Sequence, residues 1–212
     1  MEYTTQTYQQ LDKALFQEGV EERVAFFMLL KEYGSLFPNY SQQARGVDLG
    51  SVTGFYPLVL SQLGLCAYAV NSDQKAVQYL REEATYSPNI TESVDVLQAD
   101  MLALPFESGS VDLLTCMTGT LSHLSPRDQR TILSENSRVL RKDGALFLSD
   151  WNLALPEQDF FGVYSLEQQQ ELRKNHWGYP YVQEWLSQVN IASYKTCLHS
   201  GKRLYTILGI KQ

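Results

Sequence analysis

Acidic residues recur in this 212-residue sequence at points where an apolar run ends. Asp48 stands near the end of Gly46-Val47-Asp48-Leu49, Asp100 follows a run over 94–99, and Asp150 follows a run over 145–149. Carboxylates so placed accept hydrogen bonds from the hydroxyls or amines of a ligand. The first run leads into Asp48-Leu49-Gly50-Ser51-Val52-Thr53-Gly54, a tight turn with glycines ahead of a helical stretch. Glycine lets a ligand approach the main chain, so the turn is expected to bring bare backbone amides to it, while the following helix offers an anionic group its positive N-terminus. His123, in Gly119-Thr120-Leu121-Ser122-His123-Leu124, has a side chain that titrates near neutrality and could deprotonate a hydroxyl or amine; equally, it could cap or brace its loop.

These residues need elements to hold them, and the apolar pattern supplies strands alternating with helices. Strands are expected over 46–49, 66–70, 94–99, 111–117 and 145–149. Helices are expected over 58–63, around Ala76, Val77, Leu80 and Ala84, and from Ser125 to a stop at Gly144, with Pro126 in the first turn and Asp128 completing a capping box. Strands and helices in this alternation make βαβ units and a parallel sheet covered on both faces. The expected fold is therefore α/β, a doubly wound three-layer sandwich with a mostly parallel sheet. Runs over 192–198 and 204–210, joined by the tight His199-Ser200-Gly201-Lys202 turn, add an antiparallel C-terminal edge hairpin. Residues 1–40 read as a helical cap of two helices, one carrying Tyr8, Leu11, Asp12 and Leu15 and one carrying Val20, Val24, Phe27 and Leu30, closed by Gly34 and Pro38. Residues 41–212 form the main domain. In open sheets of this kind ligands sit beyond the carboxyl ends of the strands, where the strand order reverses.

Further features fall at those ends: Asn71 after the second strand, Asp100 after the third, Leu104-Pro105-Phe106 before the fourth, and Arg138-Val139-Leu140-Arg141-Lys142-Asp143-Gly144 before the fifth. With this ordered set the sequence resembles the class I S-adenosylmethionine-dependent methyltransferases of the small-molecule type, whose motifs run D-L-G-x-G-x-G, D-x-x-x-L-P-F, F-D and R-V-L-K-P-G-G, over roughly residues 44 to 150. The resemblance implies a seven-stranded sheet with an antiparallel last strand. It also implies S-adenosylmethionine as cofactor, S-adenosylhomocysteine as its product, and methyl transfer to oxygen, nitrogen or carbon of a small acceptor. On this resemblance Asp48, Gly50, Ser51 and Gly54 line the methionine half, Asn71 and Ser72 meet the ribose, and Asp100 with Met101 faces the adenine. Met117, Thr118 and Gly119 lie beside the transferring methyl. Tyr3 and Tyr8 belong to a segment resembling the helices that cover the cofactor, where an aromatic face attracts a sulfonium cation; simple packing is the commoner role for Tyr8. Asp150 and Trp151, with Asn152, are expected to line an acceptor pocket or to form a surface turn, and the aromatic stretch 175–181 to close over an acceptor or pack as a turn.

Three positions depart from the motifs. Val52 stands for the middle glycine, where a β-branched residue at positive φ costs about 1–2 kcal/mol or more. Asn71 stands for an acidic ribose ligand, with Asp73 two residues on to compensate, and Asp143 stands for a proline ahead of Gly144. The first two motivate an alternative, a cofactor-binding or regulatory protein with the methyltransferase fold but little or no turnover. A nicotinamide enzyme is disfavoured because the turn lacks G-x-G-x-x-G.

Composition bounds the rest. Hydrophobic residues are 44% and charged residues 19%, ample for a buried core. Twenty-four acidic against 17 basic residues give a net charge of -7, which opposes nucleic acid and anionic membrane partners. No run nears the roughly 20 apolar residues of a membrane span and no signal peptide opens the chain, so a cytoplasmic location is expected. Cys66, Cys116 and Cys197 lie far apart, the first two in apolar runs, and read as buried reduced thiols. No metal is expected, since cofactor roles claim Asp48 and Asp100 and no paired acidic motif follows Asp150. A homodimer through the C-terminal edge or the N-terminal helices is compatible with the pattern.

Overall fold

The computed structural model describes residues 8–10, 13, 20–36, 43–82, 89–151, 167, 170, 178–198 and 204–212. Tyr3, Leu11, Asp12, Leu15, Pro38, Ala84, Asn152, the 199–202 turn and residues 175–177 of the aromatic stretch 175–181 lie outside them. The elements in chain order are α1 (Val20–Leu36), β1 (Arg45–Leu49), α2 (Phe55–Gln62), β2 (Cys66–Asn71), α3 (Gln74–Glu82), β3 (Val94–Gln98), β4 (Val111–Cys116), α4 (Pro126–Val139), β5 (Leu140–Trp151), α5 (Gly178–Gln188), β6 (Ile191–Leu198) and β7 (Leu204–Lys211).

The strands form one seven-stranded sheet in the order β3-β2-β1-β4-β5-β7-β6. Pairs from β3 to β5 are parallel, whereas β7 runs antiparallel to both β5 and β6. After β1 the chain builds outward to β2 and β3, and then returns to place β4 on the other side of β1. The β1/β4 gap is thus the switch point.

Side-chain alternation divides the core between the two faces. On one face Leu113, Ala145, Phe147, Leu208 and Ile210 pack with Phe26, Leu29 and Tyr33 of α1 and Val59 and Leu60 of α2. Phe26 lies edge-on to both Phe147 and Tyr56, at centroid distances of 5.0 and 5.2 Å. On the other face Leu114, Leu146, Leu148 and Ile207 pack with Ile132 and Leu133 of α4 and Val182, Trp185 and Leu186 of α5.

Ser125 caps α4 as its sequence suggests, accepting from Asp128 N at 3.2 Å with Pro126 in the first turn. That helix ends at Val139 rather than at Gly144, because Leu140 already has φ -64° and ψ 133° and begins β5. Leu140 pairs with Val111 and Ala145 with Leu113, so residues 141–144 bulge out of the ladder with Asp143 at φ 61°. Counted against R-V-L-K-P-G-G, Lys142 takes the proline place and Asp143 the first glycine place, which corrects the expectation that Asp143 replaces proline. Arg138 explains the start of that motif structurally. Its guanidinium donates to the carbonyls of Leu104 (3.1 Å) and Phe106 (2.9 Å) and to Glu135, stapling Leu104-Pro105-Phe106 to α4. Two other expectations shift. Gly34 lies inside α1, and Cys66 is exposed at the start of β2, while Cys116 is buried. Among the described residues no helix is long and apolar enough to cross a membrane.

Candidate functional site

A cavity of about 250 Å³ opens at the carboxyl ends of β1 and β4. The turn 50–53 after β1 forms one side, Asn71, Ser72 and Asp73 after β2 another, Met101 after β3 a third, and Met117, Thr118, Thr120 and His123 after β4 the last. Tyr8, Asp48, Leu49, Tyr56 and Leu124 also line the cavity. Of the residues singled out in sequence, Tyr8, Asp48, Gly50, Ser51, Asn71, Ser72, Met101, Met117, Thr118 and His123 are thus brought together.

The turn after β1 is built differently from the expectation. Gly50 and Gly54 are left-handed, at φ 72° and 73°, but Val52 is not among the positive-φ residues, so the presumed strain is absent. Val52 instead packs against a small cluster of Tyr8, Ala76 and Tyr79. Nor are the amides of Gly50 and Ser51 bare, for both donate to the Val70 carbonyl, at 2.8 and 3.2 Å. Gly50 is required twice over: a Cβ there would meet Thr120 Cγ2 at 2.5 Å. That close fit lets main chain, rather than side chain, face the cavity.

Asn71 spends both ends of its amide. Nδ2 donates to the Ser51 carbonyl at 3.0 Å, and Oδ1 accepts from Asp73 N at 3.0 Å, so the residue ties the glycine turn to the turn after β2. The carboxylate at this position of the cavity is Asp73. Its Oδ1 accepts from Lys75 N at 2.8 Å at the start of α3, and its Oδ2 accepts from Tyr8 Oη at 2.7 Å. Tyr8 is 3% exposed and stacks on Tyr79, so packing and cavity lining coincide in it.

Asp48 is buried and accepts from Thr115 Oγ1 at 2.6 Å. Burial raises its pKa to about 7, against the pull of the Thr115 and Ser51 hydroxyls and with a smaller push from Glu22. Half-buried His123 moves the opposite way: burial disfavours the imidazolium and lowers its pKa to about 4.

Four residues stand apart from the lining. Gly54 is the N-cap of α2, where Phe55 N is capped by Thr53 Oγ1 at 3.3 Å. Asp100 is exposed and its Oδ1 accepts from Leu102 N at 2.9 Å, closing the turn that presents Met101. Asp150 is buried, accepts from Ser122 Oγ at 2.5 Å and from Trp151 N at 2.7 Å, and has its pKa raised by burial to about 7. Trp151 is buried against Gly119, where a Cβ would lie 2.1 Å from its Nε1. The structure therefore places Asp150 and Trp151 beneath the loop after β4, as its support, and neither on a surface turn nor on the cavity wall. Sequence reading missed Glu22, a buried carboxylate of α1 that reaches Thr118 and Ser149. Its only local signal was a charge beside an apolar stripe.

Residues 47–148 match the family described as methyltransferase domain. A carboxy-S-adenosyl-L-methionine synthase of Pseudomonas putida is 33% identical over 116 residues, 53% of this chain and 46% of that protein. The chain thus spans about half the length of the curated relatives it matches. The crystal structure of a SAM-dependent methyltransferase from Aquifex aeolicus superposes with a TM-score of 0.71 at 20% identity, covering 100% of both chains. A geranyl diphosphate C-methyltransferase from Streptomyces coelicolor, crystallised with S-adenosyl-L-homocysteine, gives 0.66 at 13% identity over 90% of this chain and 79% of that one. By the methyltransferase-domain match at residues 47–148 and by its seven-stranded fold, the chain is similar to the class I S-adenosylmethionine-dependent methyltransferases.

Proposed function

We propose that the chain binds S-adenosylmethionine in the switch-point cavity and transfers its methyl group to a small-molecule acceptor. The observation that carries this reading is the convergence on one cavity of the glycine turn, the Asn71–Asp73 turn, Met101 and the Met117–Thr118 segment. The lining fits such a ligand chemically: carboxyls at Asp48 and Asp73 suit hydroxyl, ammonium and sulfonium groups, and Met101 and Met117 give apolar walls. The described lining includes no Lys or Arg.

When bound, the cofactor supplies an electrophilic methyl on a sulfonium. The chain's contribution is alignment and exclusion of water. Asp73 takes the role of accepting from the ribose hydroxyls that an acidic residue at Asn71 would otherwise have, and Asn71 holds the two turns in register. Met101 forms the adenine wall, with Asp100 fixing the turn that carries it. Neutral His123 serves better to orient an acceptor by hydrogen bonding than to remove its proton, because a base of pKa about 4 is weak at neutral pH. The helical segment within 1–40 covers the site through Tyr8.

Isothermal titration with S-adenosylmethionine, and separately with S-adenosylhomocysteine, tests the reading. Micromolar binding is expected, weakened roughly tenfold or more by Asp73→Ala, which removes a charge-assisted acceptor. Absence of heat with both ligands would overturn it.

A further inference from the structure

The N-terminal helix meets the cavity wall through one carboxylate. Glu22 lies in the first turn of α1 and is 2% exposed. Its Oε1 accepts from Thr118 N at 2.8 Å, its Oε2 accepts from Thr118 Oγ1 at 3.0 Å, and the Ser149 hydroxyl of β5 also donates to Oε1. Thr118 N is shared with Ser149 Oγ at 2.7 Å. Cavity-lining Tyr56 faces the same carboxylate: after burial, the charge and hydrogen bond of Glu22 are what raise its pKa most.

The residue so held is unusual. Thr118 has φ 58°, a left-handed conformation that β-branched residues seldom adopt. It lies in the cavity wall, directly before left-handed Gly119, whose Cα is packed against Trp151. Both hydrogen-bonding groups of Thr118 that could relax toward an extended backbone are instead engaged by the two oxygens of one buried side chain.

We propose that Glu22 is a positioning residue: its carboxylate fixes the left-handed turn at Thr118, and so couples the docking of α1 to the shape of the cofactor cavity. The bearing of that turn on affinity rests on the cofactor reading above; the hold of Glu22 on Thr118 does not. A merely structural Glu22 would fasten the helix to the sheet without controlling the turn, and the two roles separate in a rescue. In Glu22→Ala the turn loses both contacts to α1 and keeps that of Thr118 N to Ser149 Oγ. Adding Thr118→Gly supplies a residue at ease at positive φ without restoring any contact to α1.

The test measures hydrogen exchange of the ligand-free protein over residues 117–120 and titrates S-adenosylhomocysteine into the wild type, Glu22→Ala, Glu22→Gln and Glu22→Ala/Thr118→Gly. Glu22→Ala is expected to exchange faster at Thr118 and to bind roughly tenfold or more weakly, the double variant to recover much of that loss, and Glu22→Gln, which keeps an acceptor, to stay protected. A Glu22→Ala protein that melts lower yet binds as the wild type does, or a double variant no better than the single, would overturn the proposal. Should Glu22→Ala fail to fold, Thr118→Val replaces it, since it removes the Oγ1 donor to Glu22 and keeps a β-branched residue at that φ: faster exchange at 118 with weaker binding supports the hold, and both unchanged overturn it. A wild type that binds no S-adenosylhomocysteine defeats the cofactor reading, and the exchange data then decide the hold of Glu22 on Thr118.

Discussion

Asn71 carries the more consequential of the two motif departures in the cavity. A carboxylate at 71 keeps the acceptor that Asp73 N needs but loses the donor that the Ser51 carbonyl needs, and it sets negative charge against that carbonyl. Asn71→Asp is therefore expected to destabilise the two turns by about 1–3 kcal/mol and to weaken S-adenosylhomocysteine binding. Urea denaturation and calorimetry check both, and tighter binding would instead mean that the position is eroded. Val52→Gly follows the same logic. No left-handed strain is relieved, while packing against Tyr8, Ala76 and Tyr79 is lost and the turn gains unfolded-state freedom, so a loss of about 1–2 kcal/mol is expected. The two substitutions that suggested a protein without turnover are accounted for by the local structure.

The elements were legible to different degrees for physical reasons. Short apolar runs, alternating over 94–99 and continuous over 111–117 and 145–149, marked a place for each strand of the sheet from 46–49 to 204–210, and Ser125 marked the capped helix, since those signals are local. Invisible were the contacts between distant segments. Glu22 lies 96 positions from Thr118, and Arg138 is 34 from the Leu104 carbonyl it holds. The motif arginine thus serves the scaffold, whereas Asp73, legible in the sequence as the compensating carboxylate, does line the cavity two residues after Asn71. Strand β5 is the clearest miss: its bulge reads as a helix stop in sequence because Gly144 sits in it. With Asp143 left-handed and its carbonyl accepting from Tyr33 Oη at 3.0 Å, the bulge also anchors α1. Asp143→Gly is expected to raise the melting temperature, by up to about 1 kcal/mol of stability, since glycine adopts that φ freely. Asp143→Pro is expected to cost about 3 kcal/mol or more, because proline fixes φ near -65°. Thermal denaturation of the two variants decides whether this turn is of the glycine or the proline type.

Across the whole molecule the switch point collects buried acid. Asp48 and Asp150 both titrate near 7 against a model-peptide value of 3.8, chiefly because burial disfavours their charge, with Glu22 adding to both. Between those values the folded chain holds two protons that the unfolded chain has released, and stability must fall as pH rises through the window, by about 1.4 kcal/mol per pH unit for each proton. His123 works in the opposite sense. Its pKa is lowered from 6.5 to about 4, so in that range the unfolded chain holds one proton that the folded chain does not. The net difference is therefore smaller where the unfolded His123 still holds its proton and larger once it has lost it, and the decline ends as the two carboxyls ionise near 7. The lowered pKa of Glu135 acts only beneath 4.5 and does not blur this range. Melting curves of the ligand-free protein from about pH 5 to about pH 8 are expected to show this fall, and Asp150→Asn, which keeps the acceptor for Ser122 and Trp151, is expected to flatten it. A cationic ligand beside Asp48 favours the carboxylate, so saturation with S-adenosylmethionine should flatten the slope as well, whereas S-adenosylhomocysteine, lacking the sulfonium charge, should do so less. An equal effect of the two ligands would mean that the sulfonium lies beyond the electrostatic reach of Asp48.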